Sequence, residues 1–331
     1  MMRLPAFHFL APKTIDETVR LLADSAPSAT VVAGGTDLYP NMKRRQTTPK
    51  TVIGLQDVGG LAAIREDAAG NLLIGAGSTL TDVQSHPLVQ KRYPSLAAAV
   101  LTISTPLLRN MGTIGGNICL DTRCHFLNQS HFWRQALGSC MKAEGDICRV
   151  ALSSPRCLAI TSADLPPLLI ALGAQIRLIG PHGERLVNLA ELYRDDGIHY
   201  LAKDPAELLT ELILPKLEGV RASYLKLRRR GTFDFPALGV AVAVRLNGNG
   251  ECEQAHIVLG AVTSSPLEML EAQTLVGQRL ERDVIQGVAE EIQRHARPLH
   301  LSDFDHRYRK RMVGLYVTRA LTQVAEGAPV V

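Results

Sequence analysis

Five of the chain's six cysteines fall between Cys119 and Cys157, in a stretch that is otherwise polar. Cys124, Cys140, Cys148 and Cys157 follow one another at intervals of 16, 8 and 9 positions, and Cys119 lies five positions ahead of the first. Four thiolates suit either a tetrahedral zinc ion or a [4Fe–4S] cluster. The close C-x-x-C pairs of zinc ribbons are absent, which favours a cluster held by a long, wrapping loop. Reduced structural thiols are the plainer reading, and five of them in 39 polar residues argue against it. Counting does not decide which four would bind. Cys252 stands alone beside a turn and reads as a buried thiol.

Two glycine-rich segments offer a second kind of chemistry. Ala33-Gly34-Gly35-Thr36-Asp37-Leu38 directly follows a strand, and Gly112-Thr113-Ile114-Gly115-Gly116-Asn117 follows the apolar helix Leu96–Ile103. Paired glycines open dihedrals closed to other residues and let backbone N–H groups approach an anion. Two such loops could cradle the two phosphates of a dinucleotide. Neither is the G-x-G-x-x-G fingerprint, and no Walker-type G-K-[ST] is present. Paired glycines also punctuate ordinary turns, so the chemistry alone leaves the ligand open.

The rest of the chain must position these groups. With 331 residues, 46% hydrophobic and 21% charged, it has room for two or three folded units of ordinary soluble composition. The apolar runs are too short to span a bilayer, and the N-terminus has no sustained apolar stretch of the export kind. A cytoplasmic location is expected, where clustered cysteines bind metals more often than they form disulfides. Net charge is +4. The basic runs Lys43–Arg45, Arg228–Arg230 and Arg307–Arg311 read as solvated surface, or as attraction to an anionic cofactor or acidic partner. One Trp and few other aromatics argue against a nucleic-acid binder.

Element signals begin with a capping box, Thr14-x-x-Glu17, ahead of a helix. Strands are expected at Ala29–Ala33, Thr51–Leu55 and Leu72–Ile74. Between Cys119 and Cys157 the apolar periodicity fades, and a bound metal centre would explain so long a structureless stretch. A helix at Ala163–Leu172 and a strand at Gln175–Ile179 follow. Beyond them Glu207–Leu214, Ala222–Leu227, Val240–Leu246 and Gln254–Leu259 alternate as strands, with a hairpin turn at Asn247-Gly248-Asn249-Gly250. Helices near 281–296 and 303–325 close the chain, the last with Ser302 as N-cap. The fold class is α+β: an α/β part, then an antiparallel sheet backed by helices, with the boundary near 180–200.

Several of these motifs together resemble one family, the FAD-binding subunits of the molybdenum hydroxylases, the xanthine and carbon monoxide dehydrogenase group. The first glycine segment, the strand end Ile74-Gly75-Ala76-Gly77, Thr113-Ile114-Gly115-Gly116-Asn117 and Ser162-Ala163-Asp164-Leu165-Pro166-Pro167 carry the resemblance, which spans nearly the whole chain. In most members a short step joins the last two motifs. Here it is long and holds the cysteines. That insertion resembles the one in β subunits of the 4-hydroxybenzoyl-CoA reductase branch, over Cys119-Leu120-Asp121-Thr122-Arg123-Cys124, Asn128-Gln129-Ser130, Trp133-Arg134 and the later cysteine spacing.

The resemblance implies a two-lobed FAD-binding domain of the PCMH type at 1–185, with the cysteine-rich insertion at 119–160. A C-terminal domain of the family's flavoprotein type would occupy 186–331. It implies that the two glycine segments hold the FAD pyrophosphate, that Asp164 hydrogen-bonds the cofactor, and that Lys226 lies by the isoalloxazine with Leu209 packed near it. Plainer readings are an exposed strand-end lysine for Lys226, core for Leu209 and a turn residue for Asp37. By position, Cys124, Cys140, Cys148 and Cys157 would ligate a [4Fe–4S] cluster, with Cys119 outside the set. The implied role is electron transfer without substrate chemistry in this chain. Ferredoxin would supply electrons, passed through the cluster, FAD and a small [2Fe–2S] subunit to a large molybdopterin subunit that converts 4-hydroxybenzoyl-CoA to benzoyl-CoA. The assembly would be a dimer of heterotrimers, without membrane or nucleic-acid partners. One rival is an ordinary molybdenum hydroxylase flavin subunit that oxidises a purine, aldehyde or heterocycle; another is a zinc-stapled scaffold.

Overall fold

The computed structural model describes residues 3–231, 233–299 and 304–327. The chain begins with β1 (His8–Leu10), α1 (Ile15–Ser25), β2 (Ala29–Val32), α2 (Leu38–Lys43) and β3 (Thr51–Gly54). The three strands form a parallel sheet of order β1-β3-β2. Thr14 caps α1 by accepting from the Glu17 amide at 3.2 Å. The other half of the expected capping box is displaced by one residue, because the Glu17 carboxylate accepts from the amide of Lys13.

A second sheet follows. Strands β4 (Ile64–Glu66) and β5 (Leu72–Gly75) lead into helices α3 (Leu80–Ser85), α4 (Pro87–Arg92), α5 (Pro94–Leu101), α6 (Pro106–Arg109) and α7 (Ile114–Ile118). After the short α8 (His131–Ala136) come α9 (Leu165–Ala171), β6 (Gln175–Gly180), β7 (Gly183–Asn188) and β8 (Leu208–Leu214). The sheet is antiparallel, in the order β4-β5-β8-β6-β7. Strand β8, expected to open the second part of the chain, thus lies at the centre of this sheet. It is buried along its whole length, as a central strand covered on both faces must be. The passage to the next sheet therefore falls after Leu214, later than the expected boundary near 180–200.

The third sheet is antiparallel, built from β9 (Val220–Leu227), β10 (Leu238–Leu246), β11 (Cys252–Gly260) and β12 (Leu267–Glu268) in the order β12-β11-β10-β9. The expected turn joins β10 to β11, with Asn247 Oδ1 accepting from the amides of Asn249 and Glu251. Period-2 alternation gives β10 two different faces. Val240, Val242 and Val244 join the core under helices α10 (Arg282–His295) and α11 (His306–Glu326). Ala241 and Ala243 face the main core with α9. The small face lets α9 approach: a Cβ at Gly260 would stand 2.7 Å from Pro167 Cγ. This contact fixes the start of α9, and with it Asp164, over β9 and β10.

Ser302 lies outside the described residues, and α11 is capped by Asp305, which accepts from the amides of Arg307 and Tyr308. Arg309, in a run expected at the surface, is fully buried. It donates to the carbonyls of Ala237, Leu299 and Ala261. Burial pushes its guanidinium down to about 10, so it stays charged at neutral pH. Arg309→Met would leave three buried carbonyls without their donor, and a loss of about 2–4 kcal/mol is expected in denaturant unfolding.

Among the described residues no helix is long and apolar enough to cross a membrane.

Candidate functional site

The two glycine segments meet. An added Cβ at Gly34 would lie 1.8 Å from Met111 O and 2.9 Å from Gly112 N, so the backbones are in direct contact. Gly35 has φ +68°, a left-handed conformation that favours glycine. From Ile114 onward the second segment is helix rather than loop, with Thr113 accepting from the Gly116 amide at 3.1 Å as N-cap. The end of β5 supplies its frame. Gly115 N donates to Ala76 O at 2.9 Å and Ile114 N to Ser78 O at 3.0 Å, while Ala76 N donates to Thr210 O at 2.9 Å. Asn117 Oδ1 accepts from Leu165 N at 3.2 Å, tying α7 to α9. Residues Ala33 to Leu38 and Thr113 to Asn117 are therefore assembled at one place, as a dinucleotide cradle requires.

Asp164 sits at the N-cap position of α9 and is paired with Lys226, Nζ to Oδ1 2.9 Å, with side chains 2% (Lys226) and 6% (Asp164) exposed. The Tyr224 hydroxyl donates to the same oxygen at 3.2 Å. Tyr224 and Lys226 are two apart on β9, which puts both on one face. Lys226 and Arg228 also donate to Thr102 O, each at 3.1 Å. Burial pushes the Asp164 carboxyl up, and the Lys226 ammonium works against that shift. Lys226 is thus no exposed strand-end residue. Leu209 lies on β8 opposite Leu178, within the main core beside Thr210. Asp164→Ala would strand a buried ammonium. We expect a cost of about 3–5 kcal/mol in denaturant unfolding, much of it recovered by pairing Asp164→Leu with Lys226→Met.

The cysteine insertion is closed at its base, where Arg123 and Ile160 exchange backbone hydrogen bonds of 2.8 and 2.9 Å. Its regular structure is α8 alone. Arg134 on α8 is buried and donates to Leu127 O, Gln129 O and Arg45 O, clamping the insertion onto the end of α2. Around Cys140 the chain turns tightly: the amides of Ala143 and Gly145 both donate to Cys140 O, and Ser139 and Glu144 have positive φ.

Cys124, Cys140, Cys148 and Cys157 are all buried. Burial pushes the Cys124 thiol up to about 11, with Cys140 and Cys157 adding to the shift. Burial also pushes Cys157 up, and Cys148 and Cys140 reinforce it. Charge influence thus links Cys124 with Cys140 and Cys157, and Cys157 with Cys140 and Cys148. Cys119 stands apart at the end of α7, where burial raises it and Lys203 opposes that. Cys252 lies in the third-sheet core and donates to Gln254 O. Ala159 N donates to Cys157 Sγ at 3.5 Å, and the amides of Phe126 and Leu127 hold the Cys124 thiol down against its burial. A thiol accepts weakly, so amide donors on buried sulfurs fit thiolates bound to a positive centre. Among the described residues no three or more His, Cys, Asp or Glu side chains are grouped to hold a metal ion.

Lys142, Tyr224, Arg123 and Arg134 were not among the expected site residues. Lys142 Nζ donates to Asp121, Thr122 and Gly197 O at 2.5–2.7 Å and lowers the thiol of Cys157. Tyr224 was legible from its spacing to Lys226. The others depend on contacts distant in sequence.

A family model described as the FAD binding domain in molybdopterin dehydrogenase matches residues 5–217, and one described as the CO dehydrogenase flavoprotein C-terminal domain matches residues 222–324. The chain is 30% identical to the carbon monoxide dehydrogenase medium chain of Afipia carboxidovorans over 96% of each chain. It is 32% identical to the aldehyde oxidoreductase FAD-binding subunit PaoB of Escherichia coli, over 80% of this chain and 85% of that one. A solved structure of Cu,Mo-CO dehydrogenase in its cyanide-inactivated form superposes with a TM-score of 0.81 at 28% identity, covering 99% of this chain and 100% of that one.

Proposed function

The chain belongs to the FAD-binding subunits of the molybdopterin dehydrogenases, and from that premise we propose that it is an electron-transfer subunit carrying both FAD and a [4Fe–4S] cluster. The observation that supports the reading is the burial of four cysteines within one insertion whose base abuts the first glycine segment. In a cubane cluster each cysteine binds a different iron, so the sulfurs stand farther apart than around one ion.

The residues divide the work. Gly34, Gly35 and Thr36 offer backbone N–H groups to the pyrophosphate; Gly115 and Gly116, whose amides are bonded to Ala76 O and Thr113 Oγ1, let the second segment pack close beside them, while Ala33, Asp37, Leu38, Thr113, Ile114 and Asn117 hold the two segments in place. Asp164 and Lys226, neutral as a pair, hold polar groups at the buried end of the site, with Leu209 in the core behind it. Cys124, Cys140, Cys148 and Cys157 ligate the cluster. FAD exchanges electrons singly or in pairs, which suits a subunit that links one-electron carriers to a two-electron reaction.

The partners are a large molybdopterin-binding subunit and a small [2Fe–2S] subunit, in a cytoplasmic dimer of heterotrimers. Ferredoxin is the donor, and 4-hydroxybenzoyl-CoA is reduced to benzoyl-CoA in the large subunit. The cysteine spacing and the Trp133-Arg134 segment support this branch. The second reading, a flavin subunit that passes electrons outward from an oxidised substrate, is favoured by the names of the aldehyde and carbon monoxide relatives. Iron and acid-labile sulfide in the purified complex, with an electron paramagnetic resonance spectrum after reduction, separate the two. Flavin with iron–sulfur only of the [2Fe–2S] type supports the second.

A further inference from the structure

Arg123 touches three parts of the molecule. Its backbone closes the cysteine insertion against Ile160, one residue before Cys124. Its guanidinium pairs with Asp37 of the first glycine segment, and the two side chains are 13% and 28% exposed. Its Cζ also lies 3.9 Å from the centroid of the Phe235 ring, in the connection between β9 and β10. Asn41 donates to the other oxygen of Asp37 at 2.8 Å. Burial raises the Asp37 carboxyl, and the Arg123 charge is the largest influence holding it down.

We propose that Arg123 is a positioning residue for the flavin, neutralising Asp37 within the phosphate-binding segment and fixing that segment to the cysteine insertion. The inference rests on the reading that the glycine segments hold the FAD pyrophosphate. A lone carboxylate two residues after Gly35 would repel a diphosphate. Paired with a guanidinium it presents no net charge, and the pair also anchors the loop. The planar group can pair with a carboxylate and stack on a ring together, which a lysine ammonium does less well.

The test uses the full complex, stripped of flavin and titrated with FAD. Arg123→Gln is expected to weaken FAD binding about tenfold to a hundredfold, the range of couplings between contacting residues. Adding Asp37→Asn removes the unpaired charge and is expected to restore affinity to within about fivefold of the parent. A purely structural role for Arg123 predicts no such rescue. Parent-like affinity in Arg123→Gln, or a double variant as weak as the single, overturns the proposal. Failure of the parent complex to take up FAD would instead sink the reading of the glycine segments.

Discussion

Cys140→Ser is expected to yield a chain that purifies with its flavin and without its iron. Serine offers a harder, far less acidic oxygen where a soft thiolate is needed. Cys140 is buried in a turn held by two amides on its own carbonyl, so in the proposed cluster no solvent ligand would easily replace it. Iron from the [4Fe–4S] site should fall from about four atoms per chain toward zero. The consequence for the fold is local but large. Between Arg123 and Ile160 the chain has one short helix and a small apolar cluster, so ligation of the proposed cluster would supply much of its folding free energy. Limited proteolysis should cut the variant within the insertion. The glycine segments should survive, because their frame is Ala76, Ser78 and Met111 rather than the cysteine loop. Cys119→Ser is the matched control and should keep its iron, since Cys119 packs on the main core away from the other four. Full retention of iron in Cys140→Ser would remove Cys140 from the ligand set.

Features of this chain set by local interactions are legible in its sequence, and those set by long-range contacts are not. Strands and turns were legible because period-2 alternation and the Asn-Gly turn are local signals, and β9 to β11 form where these signals put them. Strand β8 forms where it is expected, but its sheet is not legible, because its neighbours in space, Leu72–Gly75 and Gln175–Gly180, are not its neighbours in sequence. The second glycine segment read as a loop because paired glycines are poor helix formers. Tertiary support from Ala76 and Ser78, with the Thr113 cap, overrides that propensity over Ile114–Ile118. Charge was the least legible feature. Arg309 lies in a basic run that looks solvated, yet it is the buried donor that joins Ala237, Leu299 and Ala261. Arg123 sits between Thr122 and Cys124 with nothing local to mark its pairing with Asp37, 86 residues earlier.

Gly34→Ala should cost the chain its flavin through a single methyl group. The added Cβ would stand 1.8 Å from the Met111 carbonyl oxygen, and the obstacle is backbone rather than a side chain that can swing away. One of the two glycine segments must therefore move by an ångström or more. Misplacement on that scale typically costs about a hundredfold where groups must converge on one ligand, so FAD affinity should fall by about that factor. Overpacking alone should lower stability by about 1–3 kcal/mol, too little to unfold a chain of this size. The variant should thus be folded, iron-containing and flavin-poor, the reverse of Cys140→Ser. Gly287→Ala gives the comparison, since a Cβ there meets nothing within 4 Å and the position lies inside α10. It should be neutral or slightly stabilising and leave the flavin in place. Should Gly34→Ala bind FAD as tightly as its parent, the contact between the segments would be a packing feature alone, and the pyrophosphate would have to be held elsewhere.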